Sequence, residues 1–144
     1  MLKNRKNFKT SKILLDTHVW VWICENKNIS NQFKELIAKH HSTDSLYLSP
    51  ISFWELGMLV KKGRLQVTMD CFEWVKKASA GLRIVPISAQ IAIHSSYLIG
   101  EMHKDPADRL LVATATLRKM AFATADEKLL LYGKEHSLPF IDPR

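Results

Sequence analysis

Five carboxylates fall where a folded chain could bring them together. Asp16 closes a short apolar run, Lys12-Ile-Leu-Leu-Asp16, and Glu55 stands in Ser52-Phe-Trp-Glu55-Leu. Asp105 and Asp108 lie three residues apart in Asp105-Pro-Ala-Asp108-Arg, and Asp126 follows the run Met120–Thr124 by two residues. On a helix, an i, i+3 pair shares one face, with Cβ atoms about 5–6 Å apart. Like charges in one place raise one another's pKa, so such a cluster calls for protons or cations at neutral pH. An all-oxygen set without organised His or Cys suits hard ions, Mg²⁺ or Mn²⁺. These ions activate water and neutralise the charge that builds when a phosphodiester is attacked in line.

The charge balance points the same way. The 144 residues carry 21 Lys and Arg against 14 Asp and Glu, a net +7, and such an excess attracts polyanions. A basic body around an acidic, metal-seeking pocket is what a nuclease needs. Lys3, Arg5, Lys6, Lys9 and Lys12 all precede the first acid, Asp16, so residues 1–11 read as a mobile, solvated basic arm. Residues 12–144 read as one nuclease domain. Cys24 and Cys71 make neither a disulfide framework nor a zinc pair, which suits a reducing cytoplasm. The longest apolar run, Val19 to Cys24, is far short of the about 20 residues a membrane helix needs, and the N-terminus does not read as a signal peptide.

Elements able to hold these acids alternate along the chain. Strands are expected at Lys12–Asp16, Leu46–Ser49, Leu82–Val85, Met120–Thr124 and Leu138–Ile141. Helices are expected from Asp16 or Thr17 through Cys24, then over Ser30–His41, Ile51–Lys62, Met69–Ala80, Ala89–Met102, Pro106–Lys119 and Glu127–Tyr132. That alternation argues for one α/β domain with a mostly parallel sheet and helices on both faces. In such sheets ligands bind beyond the carboxyl ends of the strands. Parallel strands would gather Asp16, Glu55 and Asp126 at that edge, and a helix starting there would bring Asp108 and Asp105.

Each acid also has a structural explanation. Ser52-x-x-Glu55 reads as a capping box. Asp105-Pro106 reads as an N-cap with proline at N1 and Asp108 at N3, and Asp16 and Asp126 can cap the helices that follow them. Capping and ligation are compatible, since a bonded carboxylate keeps a free oxygen. His18 and His103 could reach the crevice, although no metal-binding His spacing is present. Trp20, Trp22, Phe53, Trp54 and Trp74 suit core packing or a protein interface better than base stacking. Arg109 could grip a phosphate or pair with an acid.

Four stretches, taken in order, resemble the PIN domain: Leu14-Leu-Asp16-Thr-His-Val-Trp20, Ser52-Phe-Trp-Glu55-Leu, Asp105-Pro-Ala-Asp108-Arg-Leu-Leu-Val-Ala-Thr114-Ala and Thr124-Ala-Asp126-Glu-Lys-Leu. Within that family they are most similar to VapC-type toxins of toxin–antitoxin pairs. The resemblance implies a three-layer α/β/α sandwich on a mostly parallel sheet of about five short strands. It implies an Mg²⁺-dependent endoribonuclease, with Mn²⁺ as a substitute, a cognate antitoxin and a homodimer. Carried over by motif, the catalytic acids are Asp16, Glu55, Asp108 and Asp126, the metal ligands Asp16, Asp108, Asp126 and Asp105, and Thr124 a nearby hydroxyl. Arg109 and His18 would support substrate. An antitoxin helix is expected in a groove lined by Trp20, Trp22 and Ile23, with a basic side chain entering the pocket. The basic arm departs from the family pattern. Two rivals remain: a non-catalytic RNA- or protein-binding module, and an Mg²⁺-dependent phosphatase. The second is disfavoured by Asp16-Thr-His18, where such enzymes resemble D-x-D-x-T.

Overall fold

Ile13, Leu14 and Leu15 are all buried, and they alternate between two separate cores. A strand buried on both faces is the mark of a parallel sheet covered by helices on either side. In the computed structural model, which describes residues 12–144, this strand is β1 (Ile13–Leu15), the centre of a five-stranded sheet. β2 (Leu46–Leu48), β3 (Arg83–Ile84), β4 (Ala121–Ala123) and β5 (Phe140–Ile141) complete it in the order β3-β2-β1-β4-β5. Every pairing is parallel, with Leu14 opposite Tyr47 on one side and Phe122 on the other. The architecture is the expected α/β/α sandwich. The basic arm expected over residues 1–11 lies outside the described residues.

The helices are α1 (Thr17–Glu25), α2 (Asn31–Ser42), α3 (Pro50–Lys61), α4 (Cys71–Ala78), α5 (Ala89–His94), α6 (Pro106–Arg118) and α7 (Glu127–Glu135). One layer packs Trp20, Phe33, Ile37 and Leu56 on Ile13, Leu15, Ala121 and Ala123. The other packs Leu111, Val112, Leu129 and Tyr132 on Leu14 and Phe122. The fully buried Trp20 meets Phe53 edge-on at 5.5 Å and Trp74 at 5.6 Å, and its indole N–H donates to the Ala78 carbonyl. Among the described residues, no helix is long and apolar enough to cross a membrane.

Three local expectations need correction. The helix expected over Ala89–Met102 ends at His94, because Ser95 turns its hydroxyl back onto the Ala92 carbonyl and Gly100 takes φ +66°. The helix expected from Met69 starts at Cys71, where the Asp70 carboxylate accepts the Phe72 amide proton. Ser52-x-x-Glu55 is not a capping box. Ser49 is the N-cap, accepting from the Ile51 amide with Pro50 just inside, and Ser52 is a buried interior residue of α3.

Candidate functional site

The strands β1, β2 and β3 march one way across the sheet, while β4 and β5 fill the other side. The switch point therefore lies between β1 and β4, where open α/β sheets form their crevices. Asp16 is the residue after β1 and Thr124 the residue after β4. The Thr124 hydroxyl, wholly buried, donates to Asp16 Oδ2 at 2.8 Å and accepts from the Asp126 amide at 3.1 Å. Asp16 Oδ1 accepts the Thr17 amide at 2.8 Å as the N-cap of α1. Both carboxylate oxygens of Asp16 are thus held from the ends of two adjacent strands.

A second hydroxyl ties in α3. Thr17 Oγ1 donates to Glu55 Oε1 at 2.8 Å and lies 2.9 Å from Ser52 Oγ. Asp16 and Glu55 are therefore joined through one residue, Thr17, whose amide serves the first and whose hydroxyl serves the second. Motif reading gave Thr17 and Ser52 helix-capping roles only, with no place in the site. Their only sequence signal is a hydroxyl beside each acid-bearing motif, and only the packing of α1 on α3 makes it meaningful.

Asp105 caps α6, its Oδ1 accepting the Asp108 amide at 3.1 Å, and Asp126 caps α7 through the Leu129 amide at 3.1 Å. Both are exposed, whereas Asp16, Glu55 and Asp108 are partly buried. Burial, then the fields of Asp16, Asp105, Glu55 and Asp126, push the Asp108 carboxyl up to about 8. Burial also raises Asp16, against the opposing bonds from Thr124 and Thr17. Glu55 is raised by burial, with Asp16 and Asp105 adding to it and the Thr17 bond opposing. The five acids thus share one electrostatic neighbourhood.

The donor chemistry fits a hard divalent cation: all oxygens, mutually repelling, with Asp16, Glu55, Asp105 and Asp126 each oriented by a hydrogen bond. As placed, no three His, Cys, Asp or Glu side chains among the described residues already enclose an ion.

His18 is exposed in the first turn of α1, where its ring eases the charge of Asp16 and Glu55. It lines a groove of about 410 Å³ with Val21, Trp22, Glu25, Leu59 and Leu65. His103 Nε2 lies 3.2 Å from Asp108 Oδ2, off the line of a hydrogen bond, so that buried nitrogen has no hydrogen-bond partner among the described residues. Arg109 does not pair with an acid among the described residues. Its guanidinium donates to backbone carbonyls, Nε to Ser95 at 2.9 Å and Nη1 to Met102 at 3.2 Å.

The groove expected from Trp20, Trp22 and Ile23 does not form as one surface. Trp20 is core, Trp22 faces the His18 groove, and Ile23 lines a separate hollow with Ile29 and Ile37. Residues two apart on a helix do not share a face, which separates Trp20 from Trp22.

The family model of the PIN domain matches residues 13–135. Ribonuclease VapC22 of Mycobacterium tuberculosis is 30% identical over 118 residues, covering 81% of this chain and 88% of that protein. Among solved structures, the DNA-bound VapBC of Salmonella typhimurium superposes with a TM-score of 0.69 at 19% identity, over 92% of this chain and 98% of that one. FitAcB from Neisseria gonorrhoeae superposes with a TM-score of 0.62 at 20% identity, over 91% and 97%. At these identities the two structures speak for the fold alone.

Proposed function

This chain belongs to the PIN domain family, and we propose that it is a metal-dependent endoribonuclease acting as the toxin of a toxin–antitoxin pair. The observation that carries the reading is the pair of hydroxyl relays at the switch point. Thr124 links Asp16 to the backbone of Asp126, and Thr17 links Asp16 to Glu55. A structural acid needs one cap bond. Here Asp16 receives two bonds from two elements and still stands in the field of other carboxylates.

On this reading Asp16, Asp108 and Asp126 hold Mg²⁺, or Mn²⁺ in its place, and Asp105 adds its charge from the edge of the crevice. The bound ion supplies Lewis acidity toward a phosphodiester and an activated water. The chain's own residues do the rest. Thr124 and Thr17 fix the rotamers of Asp16 and Glu55, so neither must be reorganised when substrate arrives. Glu55, held on one oxygen by Thr17, presents the other as a base at the crevice. Asp108 holds a proton near neutral pH in the ion-free chain and releases it when a cation takes its place. The net +7 of the chain attracts the RNA strand. An antitoxin partner and a homodimer belong to the same proposal. VapC22 supports the ribonuclease half, and the VapBC complexes among the structural relatives support the antitoxin half.

The test is direct. Purified chain is incubated with total RNA and with a phosphomonoester, each with Mg²⁺, with Mn²⁺ and with EDTA. Cleavage of RNA with either ion, none with EDTA and no phosphate released from the monoester is expected. RNA retention without cleavage under every condition would replace the reading with a binding module. Phosphate release would replace it with a phosphatase.

A further inference from the structure

We propose that Arg109 is a positioning residue for this site: it clamps the segment 95–104 so that His103 is held against Asp108. The catalytic half of the proposal rests on the nuclease reading, while the clamp itself does not. The segment leaves α5 at His94, reaches the cap of α6 at Asp105, and contains neither helix nor strand. Something else must fix it.

Arg109 grips both of its ends. One planar guanidinium donates through Nε to Ser95 O and through Nη1 to Met102 O, with His103 O a longer contact at 3.5 Å. A rigid fork of donors suits carbonyls converging from separate places, and a lysine ammonium has no such fork. The middle is pinned from α7, where the Tyr132 hydroxyl donates to Ile99 O at 2.6 Å. Next to it Gly100 takes φ +66°, and a side chain's first carbon there would meet the His136 ring at 2.5 Å. Leu98 and Met102 pack into the core beneath.

The consequence appears at the segment's far end. His103 Nε2 comes within 3.2 Å of Asp108 Oδ2 and is buried without a hydrogen-bond partner among the described residues. That nitrogen makes no hydrogen bond to fix the ring among the described residues, so the backbone of the segment must set its place. The anchors fix that backbone. Arg109 adjoins Asp108 in the first turns of α6, so the acid and the clamp for its neighbour move as one unit.

The experiment uses the full chain, with Arg109→Met, Arg109→Lys, Tyr132→Phe, His103→Asn and the double variant Arg109→Met/His103→Asn. Amide hydrogen exchange reads the segment. The Ser95, Ser96 and Tyr97 amides, bonded in the wild type to the carbonyls of Ile91, Ile93 and His94, should exchange at least roughly tenfold faster in Arg109→Met. Lysine should not rescue them, the sheet should keep its protection, and Tyr132→Phe should give a smaller effect. The His103 ring resonances should shift in Arg109→Met. RNA cleavage should fall about 10- to 100-fold in Arg109→Met, the range for a residue that orients a site group. The double variant should be no worse than the more damaged single. Unchanged segment exchange with an unmoved His103 ring would overturn the clamp. Cleavage losses that multiply in the double variant would overturn action through His103. If the wild type does not cut RNA, the nuclease reading fails, and exchange and ring resonances still decide the clamp.

Discussion

The floor and the rim of the acidic crevice hold their carboxylates in different ways. On the floor, Asp16 and Glu55 are partly buried, and side-chain hydroxyls from other elements, Thr124 and Thr17, bond to them. On the rim, Asp105 and Asp126 are exposed, and among the described residues their carboxylates bond only to the amides of the helices they cap. Asp108 stands between: it lies on a capped helix turn but is partly buried in the field of all the others. A helix cap is local and forms wherever its helix does. A hydroxyl reaching across 108 residues of sequence, as Thr124 does to Asp16, forms only if β1 and β4 pair in register. The floor is therefore where the fold is committed to orienting charge, and the rim is where it is committed to starting helices.

The largest effects should come from removing charge at the floor and at Asp108. Asp16→Asn and Asp108→Asn should each lower RNA cleavage by more than about 100-fold, beyond the loss expected from an orienting neighbour. Asn keeps the size and a hydrogen-bonding oxygen, so the ion-free fold should survive, as a thermal melt will show. A fully active Asp108→Asn protein with an undiminished Mn²⁺ stabilisation would remove Asp108 from the site.

Next come the hydroxyls. Thr124→Val and Thr17→Val preserve shape and remove one O–H each. Each should lower cleavage or Mn²⁺ affinity about 10- to 100-fold. Titration of Mn²⁺ against the melting temperature separates a lost ligand geometry from a lost fold. If Thr124→Val binds Mn²⁺ and cuts RNA as well as the wild type, the floor differs from the rim in burial only.

A pH series sharpens the comparison without any catalysis. Asp108 keeps its proton in the folded chain up to about 8, against an ordinary value of 3.8. Between those values the folded chain binds more protons than the unfolded one, so unfolding free energy falls as pH rises. The stability this group lends is complete below about pH 4 and is lost as pH passes through about 8. Asp16 and Glu55, also raised, act in the same direction. In EDTA, wild type should therefore melt lower at about pH 9 than at about pH 6. Asp108→Asn should flatten that slope and overtake wild type at the alkaline end. A slope identical in the two proteins would refute the shared field.

Much of the rim and part of the floor can be read from the sequence because the relevant signals are local. Asp105-Pro106 and Asp126-Glu127 announce helix starts, and Leu14-Leu-Asp16 announces a strand end at the edge where parallel sheets form sites. The capping box assigned to Ser52 shows how a local signal misleads. Ser49 and Ser52 both suit a cap, and Pro50, favoured at N1, is the residue that selects Ser49. The relays and the clamp are a different matter. Thr17 finds Glu55 at 38 residues' separation, and Arg109 reaches back 14 residues to Ser95, into a stretch whose periodicity reads as helix. No local window contains Thr17 with Glu55, and the helical periodicity of the stretch before Arg109 hides the loop it holds, so only the packed fold reveals either.

The smallest effect should be at the rim, and Asp105 isolates it. Asn and Asp are about equal as N-caps, so Asp105→Asn keeps the bond to the Asp108 amide and removes only charge. Its melting temperature should hardly move. Asp105→Ala loses the bond as well and should cost about 1 kcal/mol, the usual value of a cap. Removing the charge also withdraws one of the fields that raise Asp108 and Glu55. The alkaline loss of stability should therefore soften in Asp105→Asn, though less than in Asp108→Asn, where the group itself is gone. Cleavage should fall by less than about 10-fold, below the range set for the hydroxyls. If Asp105→Asn instead abolished cleavage while melting normally, its exposed oxygen would be doing a ligand's work, and rim and floor would be one site. Measured beside Asp108→Asn on the same RNA, this pair decides whether the acid that starts α6 serves only the helix or the crevice as well.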